Sequence, residues 1–163
     1  VQAAARLAKK HGVPVILNPA PAPSGKLPPA LLQLVSILTP NEIEAEMLTG
    51  VKVTDEATAR EAAQSLLGQG VKNVIITLGS KGAYLHNESA SELIPARKVK
   101  AVDTTAAGDT FNGSLAVALA EGRDLRDAIH FANAAAAISV TRLGAQPSAP
   151  ARAEIERLLK KKA

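Results

Sequence analysis

The chain has no cysteine and no tryptophan, and among its 163 residues there are one methionine, one tyrosine and two phenylalanines. The absence of cysteine excludes disulfides and thiolate metal sites, and it suits a cytoplasmic protein, which is the expected location. With aromatics at 2%, the stacking platforms that single-stranded nucleic acids need are missing, and Ala, Val, Leu and Ile must fill the core. No run of about 18 apolar residues is uninterrupted by charge, and no basic-then-apolar leader precedes a cleavage site, so no membrane is expected. The first residue is Val1, so there is no initiator methionine. Positive charge is in modest excess, +4, but Lys and Arg are scattered, with one run at Lys160-Lys161-Lys162. That run closes a predicted helix, where cations complement the dipole, and no nucleic-acid partner is expected.

What is present is a globular composition, 47% hydrophobic and 21% charged, in a length that most simply makes one domain with one core. Residues 1–11 read as a helix stopped by Gly12, and residues 13–17 as a short buried strand. A Pro-rich connector follows. A short helix over 29–34 leads to a strand over 36–38. Residues 55–69 place Ala59, Ala62, Ala63, Leu66 and Leu67 at helical spacing, with Gly70 as the stop. Residues 73–78 are the strongest strand pattern, followed by the turn Gly79-Ser80-Lys81-Gly82 and a second strand over 83–86. Residues 98–102 alternate polar and apolar, the period of a half-buried strand. Helices are predicted over 110–121, closing at Gly122, over 124–141, apolar on all sides, and over 152–161, with Ile155, Leu158 and Leu159 inward. Strands alternating with helices indicate an α/β fold with a mainly parallel sheet and right-handed crossovers, its ligand site at the strand C-terminal ends.

The most informative stretch is Asp103-Thr104-Thr105-Ala106-Ala107-Gly108-Asp109-Thr110-Phe111-Asn112-Gly113. A strand, a turn of small residues, a carboxylate and a long apolar helix meet there. Ala106, Ala107 and Gly108 carry almost no side-chain bulk, so backbone N–H groups at the helix start can approach an anion closely, with the helix dipole behind them. Asp109 has two readings. It is either an N-cap of the helix, or a base that accepts the proton of an attacking hydroxyl while the amides stabilise a transferring phosphoryl group. Upstream, Thr39-Pro40-Asn41-Glu42-Ile43-Glu44 places an N-cap and a Glu three residues later, the spacing of a capping box. Gly79 to Gly82 is a common hairpin turn without the Gly-x-x-x-x-Gly-Lys spacing of a Walker loop. Asn133 is the one polar exception on an apolar helix, a locally satisfied core amide on its own evidence. His11, His86 and His130 have no metal-ligand spacing and read as structural or solvent-exposed.

Asp103 to Gly113 resembles the C-terminal signature of the ribokinase-like carbohydrate kinases, with Ser114 departing where that family usually has Ala or Gly. Leu17 to Ala22, Pro23-Ser24-Gly25-Lys26-Leu27-Pro28 and the loop Arg142 to Ser148 are similar to the ribokinase branch of it. The resemblance implies that residues 1–163 are the C-terminal nucleotide-binding and catalytic portion of such a kinase domain. The N-terminal part with its Gly-Gly region, most sugar contacts and the β lid would be absent. It implies a sugar kinase that transfers the ATP γ-phosphoryl group to the 5-hydroxyl of ribose. Asp109 would be the base and substrate contact, and the Ala106, Ala107 and Gly108 amides the anion hole. Asn41 and Glu44 would organise Mg²⁺ and phosphate, Glu44 through water. Thr77, Leu78, Gly79, Ser80, Lys81 and Gly82 would line the ATP site, with Asn133 on the nucleotide. A monovalent cation, K⁺, would be held by Asp103, Thr105, Ser139, Arg142, Gly144 and Ser148, mostly through carbonyls. Full-length members would form homodimers. Two further readings stay open: a non-catalytic nucleotide-binding fragment or half of a two-chain kinase, and a truncated reading of a longer gene without function of its own. An open sheet edge and an apolar face are expected to make the isolated chain associate.

Overall fold

The structure is a computed structural model that describes residues 1–23 and 26–160, so the expectations at Ser24, Gly25, Lys161 and Lys162 lie outside the described residues. In chain order the helices and strands are α1 (Gln2–Lys10), β1 (Ile16–Leu17), α2 (Pro29–Leu32), β2 (Ile37–Leu38), α3 (Glu42–Thr49), α4 (Glu56–Leu67), β3 (Asn73–Thr77), β4 (Gly82–His86), β5 (Ser91–Pro95), α5 (Ala107–Ala120), α6 (Leu125–Ser139) and α7 (Arg152–Lys160). One five-stranded sheet runs β1-β2-β3-β4-β5. β1 pairs with β2 in parallel, Ile16 opposite Ile37, and β2 with β3, Ile37 opposite Asn73. Those pairs are joined through helices, as parallel neighbours require. β3 to β4 and β4 to β5 are joined by only a few residues, too few for a crossover, so these neighbours run antiparallel and the sheet is mixed.

The chain divides into two compact units, Val1–Leu78 with Tyr84–Leu93, and Gly79–Ala83 with the chain from Ile94 onward. In the first, α3 and α4 pack on each other and on β3. Small residues make this close approach workable: Ala59, Ala62, Ala63 and Leu66 form one fully buried stripe of α4 against Leu38, Val74, Ile76 and Tyr84. Both helices start on a capping box, Asn41 with Glu44 and Asp55 with Thr58, and α3 stops at the left-handed Gly50. In the second unit, α5 packs on α6 and α6 on α7. α6 buries Ala128, Ile129, Phe131, Ala132, Ala134, Ala135 and Ala137, as a helix apolar on all sides should. Among the described residues no helix is long and apolar enough to cross a membrane.

Several boundaries differ from the sequence expectation for physical reasons. Only Ile16 and Leu17 of the expected 13–17 strand form the ladder, because the Val13 N–H is taken by the Ala8 carbonyl at the end of α1 (2.9 Å) and Pro14 has no N–H to donate, and Val13 is exposed. Residues 98–102 form no strand. Their alternation is real but no ladder meets it: Val99 and Val102 are exposed, and the Val102 and Asp103 N–H groups donate instead to the Val140 carbonyl at the end of α6 (2.7 and 3.1 Å). α2 ends at Leu32. β5 was not anticipated from its short, mixed pattern, Ser91-Glu92-Leu93-Ile94-Pro95. Gly82, the first residue of β4, has φ +115° and its Cα lies so close to the next strand that a Cβ would fall 2.2 Å from the Ile94 carbonyl oxygen. Only glycine satisfies both conditions.

Candidate active site

The start of α5 differs from the sequence expectation in a way that bears on Asp109. The helix begins at Ala107, not at Thr110, and its N-cap is Ala106, which no side chain assists. The N-cap reading of Asp109 is therefore corrected. Asp109 is the third helical residue, exposed, with its carboxylate uncommitted to any helix amide. Ala106 has φ 58° and ψ 17°, and it is the one non-glycine residue in the left-handed region among the described residues. That conformation is costly for a residue with a Cβ, and it turns the chain sharply into the helix. The Ala107 N–H donates to the Thr104 carbonyl (3.2 Å) and the Thr110 N–H to the Ala106 carbonyl (2.9 Å). The Gly108 and Asp109 N–H groups have no partner among the described residues, and a Cβ on Gly108 would meet nothing within 4 Å. The helix start is thus uncapped, open and flanked by a carboxylate. Orphan amides with the positive end of a helix dipole favour an anion there.

Asp103 braces this turn from below. One carboxylate oxygen accepts from the Thr105 N–H (2.9 Å), and the other from the Gly144 N–H 41 residues away (2.9 Å). The Thr105 hydroxyl, then the Thr105 and Gly144 N–H groups, hold the Asp103 carboxyl below its usual range. The structure therefore brings Asp103, Thr105 and Gly144 together. Gly144 has φ +84°. Beyond α6, the Arg142 N–H donates to the Ser139 carbonyl (3.0 Å), and the fully buried Ser148 hydroxyl donates to the Ala145 carbonyl (2.7 Å). The Arg142 guanidinium pairs with Glu154 on α7, whose second oxygen accepts the Ala151 N–H (2.9 Å). Arg142 and then that N–H hold the Glu154 carboxyl below its usual range. Glu154 and the Thr104 and Val140 carbonyls were missed from sequence. Glu154 had a signal, an acidic residue in the first turn of a predicted helix, whereas the carbonyls had none.

Asn133, 6% exposed, donates from its side-chain amide to the Ile94 carbonyl (2.9 Å), which satisfies the core-amide reading. Neither Asn133 nor Asp109 hydrogen-bonds to another candidate residue among the described residues. Gly79 to Lys81 form a single 3₁₀ turn, and the Ala96 N–H donates to the Lys81 carbonyl (3.3 Å).

On the first unit, the ends of β2 and β3 collect the other candidates. Asn41 pairs with Thr77 in a parallel bridge, and the Thr77 N–H donates to the Pro40 carbonyl (3.0 Å). The Asn41 side chain accepts from the Glu44 N–H, and one Glu44 carboxylate oxygen accepts from the Asn41 N–H, both at 2.8 Å. Glu44 is 7% exposed, and its second oxygen has no partner among the described residues. Among the described residues, no three His, Cys, Asp or Glu side chains gather as a side-chain metal centre would require.

The model of the pfkB family carbohydrate kinases matches residues 1–152. The chain belongs to the pfkB family. Ribokinase of Haemophilus influenzae is 53% identical over 154 residues, covering 94% of this chain and 50% of that protein. Ribokinase of Staphylococcus aureus is 47% identical, covering 93% and 50%. Among solved structures, ribokinase of Thermotoga maritima superposes with a TM-score of 0.87 at 49% identity, covering 97% of this chain and 52% of that one. Arabidopsis thaliana ribokinase complexed with ribose and ATP gives 0.88 at 39% identity, covering 97% and 51%. The chain thus has the sheet and flanking helices of these pfkB proteins and spans about half their length.

Proposed function

We propose that the chain carries the phosphoryl-transfer half of a ribokinase-type sugar kinase, which moves the ATP γ-phosphoryl group to the 5-hydroxyl of D-ribose. The observation that carries this reading is the uncapped start of α5, where open amides and an uncommitted carboxylate stand within one turn. The Gly108 and Asp109 amides stabilise charge on the transferring group, while the Ala106–Ala107 turn, its Ala107 N–H held by the Thr104 carbonyl, presents them. Asp109 accepts the proton of the attacking hydroxyl. Thr77, Leu78, Gly79, Ser80, Lys81, Gly82 and Asn133 contact the nucleotide. The Arabidopsis relative, whose structure holds ribose and ATP, supports the choice of both substrates.

The residues present fit two cations. The unpartnered Glu44 oxygen beside Asn41 is a hard ligand suited to a water-bridged Mg²⁺, which supplies charge neutralisation on the phosphates. The oxygen-rich loop joined by Asp103, with Thr105, Ser139, Arg142, Gly144 and Ser148, suits a monovalent cation such as K⁺, which adds positive charge beside the anion hole. A second reading, a nucleotide-binding portion that does not turn over sugar by itself, is supported by the chain spanning about half the length of its relatives.

The test is ATP-dependent phosphorylation of ribose by the purified chain with Mg²⁺ and K⁺, alongside Asp109→Ala and an ATP-binding measurement on both. Turnover lost in the variant supports the kinase reading. Binding without turnover supports the second reading. Loss of both refutes the two together.

A further inference from the structure

The open Asp109 N–H and the Gly108 carbonyl are the two ends of one peptide unit, and the planarity of that unit ties the direction of one to the other. In a helix the two point opposite ways along the axis, so the N–H faces the open start of α5 while the carbonyl faces the next turn. There the Asn112 side-chain amide donates to the Gly108 carbonyl oxygen (2.9 Å). The α-helical pattern brings the main-chain N–H of residue 112 to the same oxygen, so one residue supplies donors for both of its lone pairs.

This peptide has little else to steady it. Among the described residues no side chain caps the start of α5, and Gly108 has no side chain of its own to restrict its rotation. Two donors on the carbonyl draw charge toward the oxygen and leave the N–H at the other end more positive, the cooperative effect of linked hydrogen bonds. The Gly108 N–H belongs to the preceding peptide, whose carbonyl is that of Ala107, so Asn112 acts on one of the two open amides and not on the other. Asn is also a poor helix former, set in a helix otherwise rich in Ala, Leu and Val. A water molecule could donate to the same oxygen, but it would rotate and exchange, whereas the Asn112 amide is anchored one turn along the same helix.

We propose that Asn112 is a positioning residue, whose side-chain amide acts through the Gly108 carbonyl to aim and polarise the Asp109 N–H at the transferring phosphoryl group. The inference rests on the reading of the α5 start as an anion hole. It adds to that reading a side chain that touches neither nucleotide nor sugar and sets the strength of one amide of the pair.

The test is proton–nitrogen-15 NMR of the Gly108 and Asp109 amides in the whole chain, free and titrated with inorganic phosphate, in wild type, Asn112→Leu and Asn112→Gln. Leu has nearly the outline of Asn, donates nothing, and shields the carbonyl from water. Gln keeps the amide, and Gln69 shows that it can reach, since its side chain donates to the Ser65 carbonyl four residues back (3.2 Å). Both replacements are better helix formers than Asn, and matching backbone spectra outside α5 establish that the variants fold. In Asn112→Leu the Asp109 amide proton is expected to move upfield while that of Gly108 stays nearly in place. Cooperative polarisation is worth roughly 10–30% of a hydrogen bond, so phosphate should bind about two- to fivefold more weakly to this variant. Asn112→Gln is expected to restore both the shift and the affinity. An Asp109 shift and a phosphate affinity unchanged in Asn112→Leu, or a Gly108 shift as large as that of Asp109, would overturn the positioning role alone. Phosphate that perturbs neither amide in wild type would overturn the anion-hole reading, and the role of Asn112 with it.

Discussion

Replacing Ala106 by glycine should stabilise the chain, the reverse of what this substitution does in an ordinary helix. Ala106 sits at φ 58° and ψ 17°, where an L side chain costs roughly 1–2 kcal/mol and glycine almost nothing. Glycine adds freedom to the unfolded chain, which returns roughly 0.5–1 kcal/mol. The net gain is about 0.5–1 kcal/mol, or a melting temperature higher by roughly 1–4 °C for a chain of this size. The control is Ala116→Gly on the exposed side of α5, where the same replacement should cost about 1 kcal/mol. Ala106→Val, β-branched in the left-handed region, should lower the melting temperature and weaken ADP binding, because the turn that exposes the Gly108 and Asp109 amides would relax. Thermal unfolding by circular dichroism, with urea titration to check that the m-value is unchanged, reads all three. Destabilisation by Ala106→Gly equal to that of the control would show that the turn is not left-handed, and the account of the helix start would fail with it.

Asp109→Asn keeps the shape of the side chain but not its basicity, so phosphoryl transfer measured with ribose should fall by roughly 10²–10⁴-fold while ADP affinity changes little; an equal loss of both would make Asp109 a binding residue. Gly82→Ala should be severely destabilising, since its Cβ would lie 2.2 Å from a backbone oxygen in a conformation alanine avoids. A soluble variant melting within a degree or two of wild type would contradict the close approach of β4 and β5. The Thr58 N–H and hydroxyl hold the Asp55 carboxyl below its usual range, so its contribution is present above the unfolded pKa and is lost as pH falls through the folded one. Asp55→Ala should therefore lower the melting temperature at pH 7 and narrow its gap to wild type at strongly acidic pH, as scanning calorimetry across pH would show.

The parts of the fold that were legible in the sequence are those encoded by local chemistry. Asn41 and Glu44 announced a capping box because both halves of it are side chains three residues apart, and the alanine stripe of α4 announced its buried face by spacing alone. What was not legible depends on backbone or on distant partners. The start of α5 was misplaced because its cap is an alanine in a conformation that no propensity favours. The alternation of residues 98–102 is indistinguishable in sequence from that of a strand, and only the missing ladder, with Val140 taking its amides, separates them. In the candidate site, Asp103 was visible as a residue type, but its reach to Gly144 across 41 residues was not.

Within this chain the strand order of the sheet is also the chain order, β1 to β5, so each strand pairs with the one that precedes it and no later segment is threaded between neighbours. Each of these pairings closes only the segment between consecutive strands, which keeps the loop-closure entropy of every step low.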